Sequence, residues 1–446
     1  MKKHLNIYVT IALLMTSLST QLAAQIKLFS LTDCINYALE NSTDIGRANN
    51  TVKSKSAYLE QSKAALGPNL VLNVNQNRSS SNSYSGVGND GEWNRENQSS
   101  INLSLSSSIT LYNGAKLKNT ISQNKTNLAA AKSDIQTEKE WISLNMLAAY
   151  INVLLAKENV KNSEAQLQST EKQLEYAEAR KSAGIISRAD YLNIKSQYAT
   201  ENAALVVSQS DLRLNLVSIM QLMNMPVNET FDISAPDSQT LLAQPTETNA
   251  DKIFNISQDI RPEIKTAELE LVSARTGINI AKAEALPILT LTGSLANGYN
   301  NNLSGIGLDE QMTNQITPAI GLSLSVPIYQ RKQVKNQVAQ ATIQADNYQY
   351  NLIDIKNDLR KAIEQACLDA RTAYTTFLAS QGQYEAEQES YRLAKEMFAQ
   401  GLLNSVDFLT AKNNLIEAEN SLTQTKYNVA LQNKIIDYYL GKPITL

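Results

Sequence analysis

The sequence predicts a mainly α chain with a membrane β-barrel, built as a duplicated unit with four strands and long coiled-coil helices per protomer. An internal repeat, a sustained seven-residue apolar period and four alternating segments carry that prediction. Leu111-Tyr112-Asn113 matches Ile328-Tyr329-Gln330 at a spacing of 217 residues. The same spacing joins Lys118-Asn119 to Lys335-Asn336, Gly184 to Gly401, Asp190 to Asp407, Lys195 to Lys412 and Pro226 to Pro443. No gap interrupts the series, so one long unit has been copied with its length held fixed.

At the N-terminus, Lys2 and Lys3 precede a mostly apolar run from Ile7 to Met15, and Leu22-Ala23-Ala24 ends in small residues before Gln25. That order is the pattern of a secretory signal peptide, expected at residues 1–24. Thr10, Thr16, Ser17, Ser19 and Thr20 interrupt the run, which falls short of the ~20 apolar residues of a membrane helix. No cysteine follows the expected cleavage point, so lipidation is not expected there. Cleavage also removes His4, the only histidine, and so excludes His-based triads, metal sites and proton shuttles from the mature chain. A net charge of −3 gives no basic excess for nucleic acid. Cys34 and Cys367 lack paired spacing and sit in helical patterns; they are expected as two buried thiols, with a disulfide the alternative in an oxidising compartment. There is no CxxC, glycine-rich phosphate loop or nucleophile elbow, so no catalytic, cofactor or metal residue is assigned and an enzyme is not expected.

The first copy occupies residues 25–245. Asn41 to Leu66 reads as a helix leading into a strand pair at 69–111, where Leu72 and Val74, then Ile101, Leu103, Leu105, Ile109 and Leu111, alternate with polar residues. The second copy, 246–446, has a duplicate helix from Ile260 to Leu286 and a strand pair at 288–328. Its alternating residues are Leu289, Leu291 and Leu295, then Ile320, Leu322, Leu324, Val326 and Ile328. Period two gives each strand one apolar and one polar face, and about ten residues is the reach of a tilted membrane strand. The Ser-, Asn- and Gly-rich stretches 79–97 and 297–314 read as solvated hairpin loops. A water-soluble sheet competes for any one segment; four of them, each pair joined to a long helix, favour the membrane. Strands in lipid must close on themselves, and single-chain barrels begin at eight strands. Two copies would make eight, with an interior filled by side chains. Three copies would make twelve and leave a lumen, so a homotrimer is expected.

After each strand pair comes a long helix, at 113–183 and 330–400, and a return helix, at 187–224 and 404–440. Ile121, Leu128, Ile135 and Ile142, then Val153, Val160, Leu167 and Leu174, recur every seventh residue; the second copy gives Val338, Ala345, Leu352 and Leu359, then Phe377, Tyr384, Tyr391 and Phe398. The return helices continue with Tyr191, Tyr198, Leu205, Leu212 and Ile219, and with Phe408, Leu415, Leu422, Val429 and Ile436. Such a period keeps one stripe against a partner helix. At 1.5 Å per residue the first long helix would run roughly 105 Å, and its other faces are too polar for lipid. The stretch Asn224 to Ser257, with Pro226, Pro236 and Pro245, breaks the helical pattern and reads as a midsection segment.

These residues resemble the TolC-like outer membrane efflux proteins, the outer membrane factors of tripartite pumps. The resemblance covers nearly all of the mature chain. It rests on Leu31-Thr32-Asp33-Cys34-Ile35 with Tyr37-Ala38-Leu39-Glu40-Asn41, on Arg261-Pro262-Glu263-Ile264, on Ala285-Leu286-Pro287 and on Ser325-Val326-Pro327-Ile328-Tyr329. It implies a trimeric twelve-stranded barrel in the cell outer membrane, continuing into a twelve-helix periplasmic tube with a belt at the midsection. It implies a passive exit duct whose tip meets a periplasmic adaptor protein served by an inner-membrane transporter. The tip residues so implied are Gly184, Ile185, Ile186 and Ser187 with Gly401, Leu402, Leu403 and Asn404; ordinary turn chemistry is the competing reading. Asp407, and Asp190 with it, would fall at the pore constriction, where Asp407 aligns with a ring-forming carboxylate of the family. The spacings Ser187 to Asp190 and Asn404 to Asp407 equally match a helix cap and its third-position acid. Leu403 and Thr410 stand where relatives often have a basic latch partner and a second acid, so those latch roles are not carried over. A duct for a type I protein-secretion system, or a poreless periplasmic coiled-coil scaffold, are the alternatives.

Overall fold

The computed structural model describes residues 28–86, 91–227, 231–235, 247, 249–302 and 305–445. The expected signal peptide and much of the midsection lie outside them. In chain order the elements are β1 (Leu28–Phe29), α1 (Leu31–Asn41), α2 (Thr43–Ala64), β2 (Val71–Ser85), β3 (Glu92–Tyr112), α3 (Lys116–Ser182), α4 (Arg188–Leu222), β4 (Asp232–Ile233), α5 (Ala250–Ile260), α6 (Pro262–Ala283), β5 (Ile288–Asn300), α7 (Leu308–Asn314), β6 (Thr317–Ser325), α8 (Gln333–Ala399) and α9 (Ser405–Tyr439).

The duplication is written into element lengths. The helices α3 and α8 both have 67 residues, and α4 and α9 both have 35. Left-handed residues recur at the same spacing of 217: Gly114 with Arg331, Ala115 with Lys332, Gly184 with Gly401, and Asn224 with Gly441. Upstream of the strands the spacing is 219, as between Thr43 and Pro262 at the starts of two 22-residue helices. The two-residue difference therefore lies in the strand region. At 1.5 Å per residue each 67-residue helix rises ~100 Å. No helix among the described residues is long and apolar enough to cross a membrane.

The chain forms two compact units, and each takes pieces of both copies. The expected division into repeats at 245 and 246 is thus a division of sequence and not of packing, because corresponding helices of the two copies lie side by side. One unit comprises Arg47–Gln136 and Arg261–Asn357. It holds the antiparallel sheet β2-β3-β5-β6, whose outer edges on β2 and β6 have no strand partner among the described residues. Hydrogen bonds from Gln123 Nε2 to Ser273 O (3.1 Å) and from Ser273 Oγ to Asn127 Oδ1 (2.6 Å) tie α3 to α6.

The sheet corrects two expectations. Pairing runs through the supposed loop at 79–97, up to Ser85 opposite Glu92. The Ser/Asn composition hides those strands because apolar alternation stops before the ladder does, and backbone pairing does not need it. The stretch expected as the second loop also holds regular structure: β5 reaches Asn300, and α7 buries Gln311 at 1% exposure. Gln311 replaces a strand partner, accepting from Asn300 N (2.9 Å) and donating to Asn300 O (3.1 Å) and Ile306 O (2.9 Å). At the other end β6 stops at Ser325, short of the expected 328, where Pro327 has no N–H to donate.

The other unit comprises Met1–Gly46, Thr137–Ile260 and Asp358–Leu446. Its core gathers Leu31, Cys34, Met146, Leu147, Tyr150, Ile219, Met223 and Ile233. The parallel pair β1–β4 joins the chain start to the midsection, and the Tyr150 hydroxyl donates to Ser234 O at 2.6 Å. Cys34 and Cys367 are free and buried thiols. Every residue of the seven-residue series is buried or half-buried.

Candidate functional site

Each long helix ends in the same turn. Ile185 N donates to Arg180 O (2.9 Å) and Gly184 N to Lys181 O (3.0 Å); Leu402 N donates to Met397 O (2.9 Å) and Gly401 N to Phe398 O (3.1 Å). These double bonds close the last carbonyls, and they require the left-handed φ of Gly184 (73°) and Gly401 (78°). The chain direction leaves Ile185 and Leu402 exposed at 62% and 68%, with Ile186 and Leu403 half-buried. An apolar residue after the glycine of such a turn commonly packs back on its own helix; in both copies Ile185 and Leu402 instead stay exposed.

The two carboxylates expected together have different surroundings. Asp190 completes a capping box: its Oδ2 accepts from Ser187 Oγ (2.6 Å), while Asp190 N donates to Ser187 Oγ (3.0 Å). Its Oδ1 accepts from Ser405 N (3.3 Å), so one side chain serves the starts of α4 and α9. The Ser187 hydroxyl, then Ser405, hold its pKa below the usual carboxylate value. Asp407 is exposed; its N donates to Asn404 Oδ1 (2.9 Å) and its Oδ2 accepts from Asn404 Nδ2 (2.8 Å). Each acid stands three residues after a cap residue; Asp190 is half-buried and Asp407 is the more exposed of the two. Behind the turns Phe398 stacks on buried Phe408, with ring centroids 4.7 Å apart, and Arg180 NH1 donates to Phe398 O (3.2 Å).

A third group was not expected from sequence. Lys412 of α9 and Glu201 of α4 form an ion pair at 2.6 Å, with side chains 4% and 6% exposed, and the Thr170 hydroxyl of α3 bridges them. Gln197 Nε2 also donates to Glu201 Oε1 (2.9 Å). Burial holds the Lys412 ammonium below the ordinary lysine value, and Glu201 pulls it back up. The duplicated position of Lys412 is Lys195, which is exposed, and that of Glu201 is Ala418. Glu201 beside a helix stripe, opposite an alanine in the other copy, was the available signal. An adjoining groove of about 660 Å³ is lined by Asn159, Gln166, Gln197, Asn413, Asn420 and Gln424 among others.

Both halves of this architecture have relatives. The sequence profile of the outer membrane efflux protein family matches residues 34–225 and 255–442, nearly the whole described chain. The chain belongs to the outer membrane efflux protein family. It is 25% identical to outer membrane protein TolC of Escherichia coli over 397 residues, 86% of this chain and 76% of TolC. It is 21% identical to outer membrane efflux protein BepC of Brucella suis over 411 residues, 90% of this chain and 83% of BepC. Among solved structures it superposes on CusC with a TM-score of 0.78 at 16% identity, covering 93% of this chain and 92% of CusC. VceC of Vibrio cholerae gives a TM-score of 0.73 at 18% identity, covering 92% and 96%. The fold is that of outer-membrane channels, and the protein is an efflux component of the outer membrane. The family is one of channels and not of enzymes. That membership sets aside the poreless scaffold.

Proposed function

We propose that three copies of this chain close a twelve-stranded barrel and form the passive exit duct of a tripartite efflux pump. The observation that carries the reading is the four-stranded sheet with two unpaired edges, joined to two helices of 67 residues. Four strands cannot close in lipid, and copies paired β6 to β2 satisfy both edges while leaving a lumen. In this reading a periplasmic adaptor docks at the turns, where Gly184, Ile185, Ile186 and Ser187 lie beside Gly401, Leu402, Leu403 and Asn404. The exposed Ile185 and Leu402 supply the apolar contact, and the inner-membrane transporter behind the adaptor supplies the work. Asp407, as a threefold ring of exposed carboxylates, attracts cations into the closed tip; Asp190 stays at the same constriction as its structural neighbour.

Planar-bilayer recording of the purified protein tests this. Steady single-channel conductance with cation preference is expected, and Asp407→Asn should lower the preference. A monomer that stays in solution without detergent and passes no current would overturn the duct, and unchanged selectivity in the variant would remove Asp407 from the gate.

A further inference from the structure

The junctions where the strand pairs lead into the long helices differ in charge from the starts of the other described helices. Seven of the nine described helices have an acid in the first turn, which complements the positive helix N-terminus. The exceptions, α3 and α8, are the two 67-residue helices, each of which follows the second strand of its pair. No acid occurs between Glu96 and Asp134, or between Glu310 and Asp346. Within the second interval stand Arg331, Lys332 and Lys335, all exposed, and no ion pair holds them among the described residues. Arg331 and Lys332 also take φ of 49° and 64°, where the first copy has Gly114 and Ala115. Bases therefore occupy a position that neither the helix dipole nor the backbone favours.

Immediately before them, Val326, Ile328 and Tyr329 are 52%, 94% and 81% exposed. An apolar segment just past the strand, then an aromatic ring, then three cations over ten residues is the order of layers met on leaving a bilayer: acyl chain, interface, phosphate. A second copy of this chain is a poorer occupant. The β2 edge that would meet β6 lies within a stretch that has no acid between Glu60 and Asp90, so the strand offers the cations no carboxylate.

We propose that the β6–α8 junction is an anchor for anionic phospholipid of the periplasmic leaflet. Tyr329 sits at the interface, and Arg331, Lys332 and Lys335 hold headgroup phosphates. The inference rests on the duct reading, which puts the helices on the periplasmic side.

The test uses full-length trimer, delipidated in detergent and titrated with phosphatidylglycerol or phosphatidylcholine. Native mass spectrometry counts bound lipid, and the same preparation is assayed for conductance. Wild type should prefer phosphatidylglycerol and lose the preference in high salt. Each base near an anionic surface contributes roughly fivefold, so Arg331→Asn, Lys332→Asn and Lys335→Gln together should lower affinity on the order of a hundredfold. Asn tolerates the left-handed backbone, so the variant should still conduct. Equal binding of both lipids by wild type, or undiminished phosphatidylglycerol binding by the triple variant, would overturn the anchor while leaving the duct intact. Lipid preference without conductance would instead count against the duct. A Lys332→Cys trimer that resists an impermeant maleimide would show a second copy covering the turn, and would also overturn the anchor.

Discussion

Glu201 and Lys412 offer a perturbation whose outcome separates a buried ion pair from a surface one. Both side chains are almost fully removed from solvent, at 6% and 4% exposure, and Thr170 and Gln197 complete their hydrogen bonds. Replacing one partner alone, by Glu201→Leu or Lys412→Met, leaves the other charge buried without compensation and should cost about 3–5 kcal/mol per protomer. The double replacement removes both desolvation costs and fills similar volume, so it should come out near wild type. Denaturant midpoints of the detergent-solubilised protein measure this, with the pair read as a double-mutant cycle. The sign of the pH dependence follows from the lowered Lys412 value. Between that folded value and the ordinary 10.5 the unfolded chain binds more protons, so stability should rise with pH across the window. Lys412→Met should abolish that rise. Single variants costing under about 1 kcal/mol, the range of exposed pairs, would refute the reasoning, as would a double variant as unstable as the sum of the singles.

Four further outcomes are expected. Gly184→Ala and Gly401→Ala meet no atom within 4 Å, so each should cost only the left-handed backbone term of about 1–2 kcal/mol in a thermal melt. Gly114→Ala should cost more in the same melt, because its new Cβ would lie 2.6 Å from the Leu286 side chain. Burial, then Asp33, pushes the Cys34 thiol up to about 12, so maleimide at pH 8 should label it only after unfolding, as mass spectrometry would show. Asp190→Ala should destabilise by about 1–2 kcal/mol through the lost cap, whereas Asp407→Asn should leave the melting temperature nearly unchanged and alter selectivity.

The helical part of this fold was legible because its signal is local and repeated. A seven-residue period and a constant spacing mark α3, α4, α8 and α9 to within three residues at their starts and two at their ends. The strands were legible only while their side chains alternated. Beyond Asn75 the β2–β3 ladder carries Ser and Asn on both faces, and Tyr84 meets Trp93 in a tilted ring contact at its far end, with 5.3 Å between ring centroids. Nothing periodic remains there for a reading of side chains to detect. The turns at Gly184 and Gly401 could be located from glycine and an acid three residues past the cap, but not the reach of Asp190 Oδ1 to Ser405 N, which joins residues 215 positions apart. Lys412 stood out as a repeat landmark with Lys195, and its burial depends on Glu201, a residue in the other copy's helix.

Duplication at constant length explains why the two tip acids can differ in role. The equal helix lengths bring Asp190 and Asp407 to the same level of their hairpins, each three residues after a capping side chain. Once Asp190 serves both helix starts, the second acid is not needed to hold Ser405. Among the described hydrogen bonds Asp407 meets only Asn404, itself exposed. The same division appears higher in the hairpins, where Lys412 is committed to Glu201 and its duplicate Lys195 is left in solvent. In each pair one member fastens α4 to α9 and the other is free to change without loosening the fold. In the proposed duct, an exposed carboxylate on a rigid support suits a selectivity ring, because its charge can be tuned by substitution while the backbone keeps its geometry. Exchanging the two roles should therefore fail: Asp190→Asn would loosen the tip that Asp407 depends on, and its selectivity change should be accompanied by a lower melting temperature, unlike that of Asp407→Asn.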